Sequence, residues 1–158
     1  MLIYDEQLPV LDDTFEGDEV ALLAVRGGRV DRNFRRNYAW AKHAADRGQL
    51  KKIVVKVAVN KDSWVHTVGA VTSALSGQRL HPLAAFNVDA DVRDIGGDRL
   101  TQVLEALKEL APKPAAFMAT GADVKALVRA QNAQAKNAPK PGPKSEANKN
   151  VEDVKDGE

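Results

Sequence analysis

The sequence predicts an α/β fold, a parallel βα repeat of about five strands followed by a tail without a core of its own. Three observations carry this. Strand-like apolar runs recur at near-constant spacing, each long run leads into a segment of helical periodicity, and the composition changes after Ala130.

The runs are "LIY" (2–4), "EVALLAV" (19–25), "KIVVKVAV" (52–59), "PLAAFNV" (82–88) and "PAAFMA" (114–119). Such short apolar stretches read as strands, and runs such as "IVVKVAV" and "LAAF" as strands buried on both faces. Taking Leu22, Val55, Phe86 and Phe117 as the centres of the four longer runs, the separations are 33, 31 and 31 residues. That is the length of one βα unit. Right-handed crossovers make the strands parallel.

The intervening segments repeat apolar residues at helical spacing. "DRNFRRNYAWAKHAADRG" sets Phe34, Tyr38, Ala41 and Ala45 on one face and stops at Gly48. "DSWVHTVGAVTSAL" aligns Trp64, Val68, Val71 and Leu75 behind Ser63 or Asp62 as a cap. "GGDRLTQVLEALKEL" aligns Leu100, Val103, Leu104 and Leu107, and "TGADVKALV" opens with Thr120 and Asp123 in capping spacing. The spacing admits either an open doubly wound sheet or part of a barrel.

The predicted organisation is a βα-repeat domain over 1–130 and a flexible tail over 131–158. The tail, "QNAQAKNAPKPGPKSEANKNVEDVKDGE", has no aromatic residue, and its only branched aliphatic residues are Val151 and Val154. It lacks the apolar surface needed to offset the entropy of ordering, so disorder is expected there.

The 158 residues carry a net charge of +1. That charge is unevenly placed: residues 1–19 hold seven acids and no bases, and residues 26–52 hold nine bases and two acids. The two stretches are expected to attract each other. With no cysteine in the chain, disulfide and thiolate chemistry are excluded. His43, His66 and His81 lie on separate segments at no metal-ligand spacing, so neither a metal nor a cofactor is expected. "RGGR" fits no phosphate-loop or dinucleotide pattern, and no serine sits in a G-x-S-x-G turn. No DNA-binding motif accompanies the arginines at 29, 32, 35 and 36, so nucleic acid is not expected as a partner. No apolar run reaches the roughly 20 residues that span a bilayer, and no signal peptide is read at the N-terminus.

In either α/β architecture, ligands meet the carboxyl ends of the strands. Asp5 and Glu6 follow the first strand, Arg26 the second, Asn60 and Lys61 the third, and Asp89 and Asp91 the fourth. Asp5 and Asp89 are therefore expected on one rim. Paired carboxylates are what glycoside hydrolysis requires, one protonated for the leaving group and one ionised; the same constellation would also fit a hard divalent cation bound by oxygen ligands, although no metal is the expected reading.

The ordered set "YD", "RGGRVDRNFRRNYAWAKHAADRG" and "NVDAD" resembles the family 25 glycoside hydrolases, the cell-wall muramidases of bacteria and phages. Asp31, Phe34, Asn37, Ala41 and Gly48 approximate the helix pattern of that family, with uneven spacing towards its end. Asp5 matches its first-strand acid, and Asp89 the first acid of its fourth-strand motif. The resemblance implies a partial, TIM-barrel-like domain with Asp5, Asp89 and Asp91 as the catalytic set, and with Arg26, Trp40 and Asn60 against a cell-wall glycan. Two departures stand out. Asp91 replaces the family's Glu, shortening the reach of the general acid by one methylene. The chain also falls well short of the about 250 residues of an eight-stranded barrel. The expected function is accordingly a non-catalytic virion component, in a tail or other structural position, partnered by virion proteins or by itself, in the particle or the host cytoplasm. The alternative is an active muramidase-like hydrolase.

Overall fold

The structure, a computed structural model, describes residues 2–111 and 117–119. Its elements, in chain order, are β1 (Ile3–Tyr4), β2 (Glu19–Arg26), β3 (Arg29–Val30), α1 (Phe34–Asp46), β4 (Lys52–Ala58), α2 (Trp64–Ala74), β5 (Ala84–Asp89), α3 (Val92–Ile95), α4 (Gly97–Lys108) and β6 (Phe117–Ala119). The expected tail and the helix expected after Thr120 lie outside the described residues.

The sheet runs β1-β2-β4-β5-β6, all parallel, with β3 antiparallel on β2. Strand order follows chain order and never reverses. The strand centres chosen from the sequence lie in one row, Leu22 paired with Val55, Val55 with Phe86 and Phe86 with Phe117. Right-handed connections in a sheet of this order place successive helices on the same face. That face holds the core, in which Leu22, Val55, Phe86 and Val88 pack with Phe34, Ala41, Leu100, Leu104 and Leu107, all fully buried.

Helices α1 and α4 bury the residues their periodicity predicts. Around α2, Val71 and Leu75 are buried as expected, but Thr67 and Ala74 complete the inward line, with Trp64 and Val68 only partly buried on its flank. Trp64 lies under the guanidinium of Arg99, 5.7 Å from the ring centre, a cation–π contact that uses the ring at the helix margin.

The unforeseen element is β3. Gly27 and Gly28 both have positive φ, +62° and +70°, and join Arg26 to its cross-strand partner Arg29. Positive φ at both central residues is the requirement of a tight type I′ hairpin, which glycine meets without strain. Since β4 occupies one side of β2, β1 and β3 share the other: β1 lies beside Ala21 and Leu22, and β3 beside Val25 and Arg26. The chain therefore leaves the sheet after Tyr4, and Asp5 begins a turn closed by Leu8 N–H on its carbonyl at 3.2 Å.

Between Leu23 and Val25 the β2–β4 register slips by one residue at Ala24. The carbonyl of Ala24 accepts the amide of Asp31 at 2.8 Å. The bulge thereby anchors the start of the segment leading into α1.

Candidate functional site

The three acids singled out in the sequence lie near strand ends, each held in a separate local arrangement. Asp5 Oδ1 accepts the amide of Gln7 at 2.8 Å, an Asx turn that directs the chain away from the sheet. Asp91 Oδ1 accepts the amide of Arg93 at 2.9 Å, while its carbonyl takes the amides of Asp94 and Ile95 at 3.2 and 3.1 Å. Asp91 thus caps α3. Asp89 closes β5, with its side chain about half exposed and Oδ2 3.8 Å from Lys56 Nζ. β1 and β5 are separated by β2 and β4, so three interstrand steps, about 14 Å of sheet, lie between the strands of Asp5 and Asp89.

The face of the sheet opposite the helices collects a polar row that sequence reasoning missed. Along β4 and β5, Val55, Val57, Phe86 and Val88 belong to the helix-covered core, so by alternation Lys56, Asn87 and Asp89 point the other way. Register pairs Leu23 with Lys56 and Lys56 with Asn87. The Lys56 side chain is only 17% exposed, an unusual setting for an ammonium group. Asn87 Oδ1 is buried and has no hydrogen-bond partner among the described residues. Ala21, Leu23 and Val54 are buried as well, yet lie outside the helix-covered cluster. The sequence signal was one lysine interrupting the apolar run "IVVKVAV".

The helix motif is a structural latch. Asp31, 7% exposed, accepts the amides of Glu6 and Asn33, each at 3.0 Å. Asn33 Nδ2 donates to the carbonyls of Asp5 and Leu8 at 3.3 and 3.1 Å. Asn37, fully buried, accepts the amide of Leu11 at 2.8 Å. Phe34 stacks on Tyr38 with ring centres 5.1 Å apart. Asp31, Asn33 and Asn37 thus satisfy backbone groups of the segment between β1 and β2 that would otherwise be unpaired.

The remaining glycan-binding candidates are dispersed. Asn60 Oδ1 accepts from the amides of Asp62 and Ser63 at 3.1 and 2.9 Å and from the Ser63 hydroxyl at 2.6 Å. It closes the turn that precedes α2, and the cap expected of Ser63 is not made, since the Ser63 hydroxyl donates to Asn60 instead. Arg26 lies exposed at the hairpin. Trp40 donates its indole N–H to Asp13 Oδ1 at 2.9 Å and meets Phe15 edge-on at 5.6 Å between ring centres. This bond, with Arg47 at 3.3 Å, holds the Asp13 carboxyl below the usual carboxylate range. Together with the Arg29–Glu6 pair at 3.9 Å, it realises the attraction expected between the acidic and basic stretches. Nothing in the local sequence marks Asp13, because its partner is 27 residues away.

Among the described residues, no three His, Asp or Glu side chains converge as a metal site, and no helix is long and apolar enough to cross a membrane. Comparisons with protein-family models, curated proteins and solved structures find no match. The likeness to the family 25 hydrolases rests on the residues quoted above.

Proposed function

We propose that this chain is a non-catalytic, glycosidase-like protein that serves as a structural component of a phage-type particle, joined to other virion proteins or to copies of itself. The observation that carries this is that Asp5 and Asp89 follow strands three steps apart in the sheet, while the Asp5 and Asp91 carboxylates are engaged by nearby backbone amides. Glycoside hydrolysis needs two carboxyl groups roughly 5–9.5 Å apart across one bond. Here one acid caps α3, one closes its own turn, and the third stands beside Lys56.

The unreversed strand order supports reading the domain as a partial TIM barrel, in which helices cover one face and the other lines an interior. Among the described residues, β1 and β6 each pair with one strand only. Unpaired edges are templates for further strands, which favours a role in assembly.

Reducing-sugar release from purified peptidoglycan tests the reading, with the full chain compared against Asp89→Asn and Asp91→Asn. The expected result is no release above background for any of the three, with the chain recovered in purified particles. Release by the parent chain that is lost in either variant would establish the muramidase-like hydrolase instead.

A further inference from the structure

Between β1 and β2 the chain folds around an open cavity of about 250 Å³. Leu2, Tyr4, Leu8, Pro9 and Phe15 supply its apolar lining, and Asp12 stands among them. Leu2 is 59% exposed, so the cavity opens to solvent along an apolar lip.

This cavity is built rather than incidental. Phe15 is fixed edge-on between Tyr4 and Trp40, at 6.1 and 5.6 Å. The bonds of Asn33 to Leu8 and of Asn37 to Leu11 pin its wall to α1. Such preorganisation lowers the ordering cost of binding. Its rim carries an exposed carboxylate, Asp12, within a stretch of seven acids and no bases, whereas the neighbouring Asp13 is already paired with Arg47. The Thr14 hydroxyl and amide keep the Asp12 carboxyl ionised below the usual range.

Aromatic-lined apolar grooves with an acidic rim suit proline-rich segments that carry cations. An extended polyproline conformation is already stiff, so little entropy is lost on docking. The chain contains one such segment. "APKPGPK", residues 138–144, places three prolines beside Lys140 and Lys144, and from Gln131 to Ser145 there are three lysines and no acid. β6 ends at Ala119, 20 residues before Pro139. Those residues can extend about 65 Å, whereas the four interstrand steps from β6 to β1 cover about 19 Å.

We propose that this cavity binds residues 138–144 of the same chain, the prolines against Tyr4 and Phe15 and the lysines towards Asp12. Tethering raises the local concentration to the millimolar range, so a weak contact is populated.

Amide spectra of the isotope-labelled full chain test this. A Pro139→Ala/Pro141→Ala/Pro143→Ala variant leaves every described residue unchanged. Its expected effect is a shift of the amide signals of residues 8–15, unchanged on dilution. Reciprocally, Leu2→Ser on the exposed lip is expected to move the Lys140 and Lys144 signals to those of the free 136–146 peptide. Superimposable signals for residues 8–15 in parent and triple variant would overturn the proposal. A difference that vanishes on dilution would overturn it too, by assigning the contact to two copies.

Discussion

Asn37, fully buried in α1, accepts the amide hydrogen of Leu11 at 2.8 Å, joining positions 26 apart in the chain. Its Nδ2 is buried without a partner among the described residues, so the side chain's hydrogen bond is made by its carbonyl oxygen. Asn37→Ala would strand the Leu11 amide in the core. An unsatisfied buried group costs about 1–3 kcal/mol, and a urea midpoint lowered accordingly, with an unchanged slope, is the expected result. Asp31→Ala, which strands the amides of Glu6 and Asn33, is expected to cost at least as much.

The two hairpin glycines are expected to differ. A Cβ at Gly27 meets nothing within 4 Å, whereas one at Gly28 would lie 2.9 Å from His66 Cβ and 3.2 Å from Ser63 Cβ. Gly27→Ala therefore carries only the left-handed backbone penalty, about 1 kcal/mol. Gly28→Ala adds a clash between β-carbons that rotamer changes cannot relieve, and is expected to cost about 2–4 kcal/mol. Thermal melts of the pair measure the difference, and equal values would show that the hairpin does not press on α2.

Acid should release Trp40 from Asp13. Hydrogen bonding to Trp40, and then to Arg47, lowers the folded-state pKa of this carboxyl. Its stabilising contribution is therefore complete above the unfolded-state pKa and is lost as pH falls through the lowered value. In a Trp64→Phe background, Trp40 fluorescence is expected to stay constant from neutral pH down to about pH 4 and to change below it. Asp13→Asn, with no carboxyl to protonate, should lack that step.

The sequence makes the sheet legible because Leu22, Val55, Phe86 and Phe117 sit at the middle of short apolar runs, and their even spacing becomes a row of direct neighbours. Helix α4 was equally plain. The inward line of α2 was not, since Thr67 is fully buried and hydroxyl-bonded to the Ser63 carbonyl at 3.3 Å, a role hydropathy hides. The hairpin was legible in principle, as paired glycines between two arginines. The site was legible least. Asp31 and Asn37 matched a catalytic family's motif yet hold backbone amides, and only three-dimensional pairing shows which carboxylates are already engaged.

Lys56 offers a test of what the second sheet face is for. Its ammonium lies 3.8 Å from a half-exposed Asp89, an ion pair expected to contribute less than about 1 kcal/mol. Lys56→Met keeps the length of the side chain, so stability should change by no more than about 1.5 kcal/mol in either direction. A loss well beyond that range would mark Lys56 as part of the folding core. Preserved stability with loss of particle incorporation would mark this face as the one that meets a partner.

The unreversed order of the strands also bears on how the chain is made. Every strand joins one that has already left the ribosome, so no pairing waits for a later segment to be inserted between two earlier ones. Synthesis and sheet growth proceed in the same direction. Early βα units can settle while later ones are still being translated, and a destabilising change in β2 should disturb every nascent chain long enough to expose β2, whereas one in β5 should be felt only after most of the protein has been synthesised.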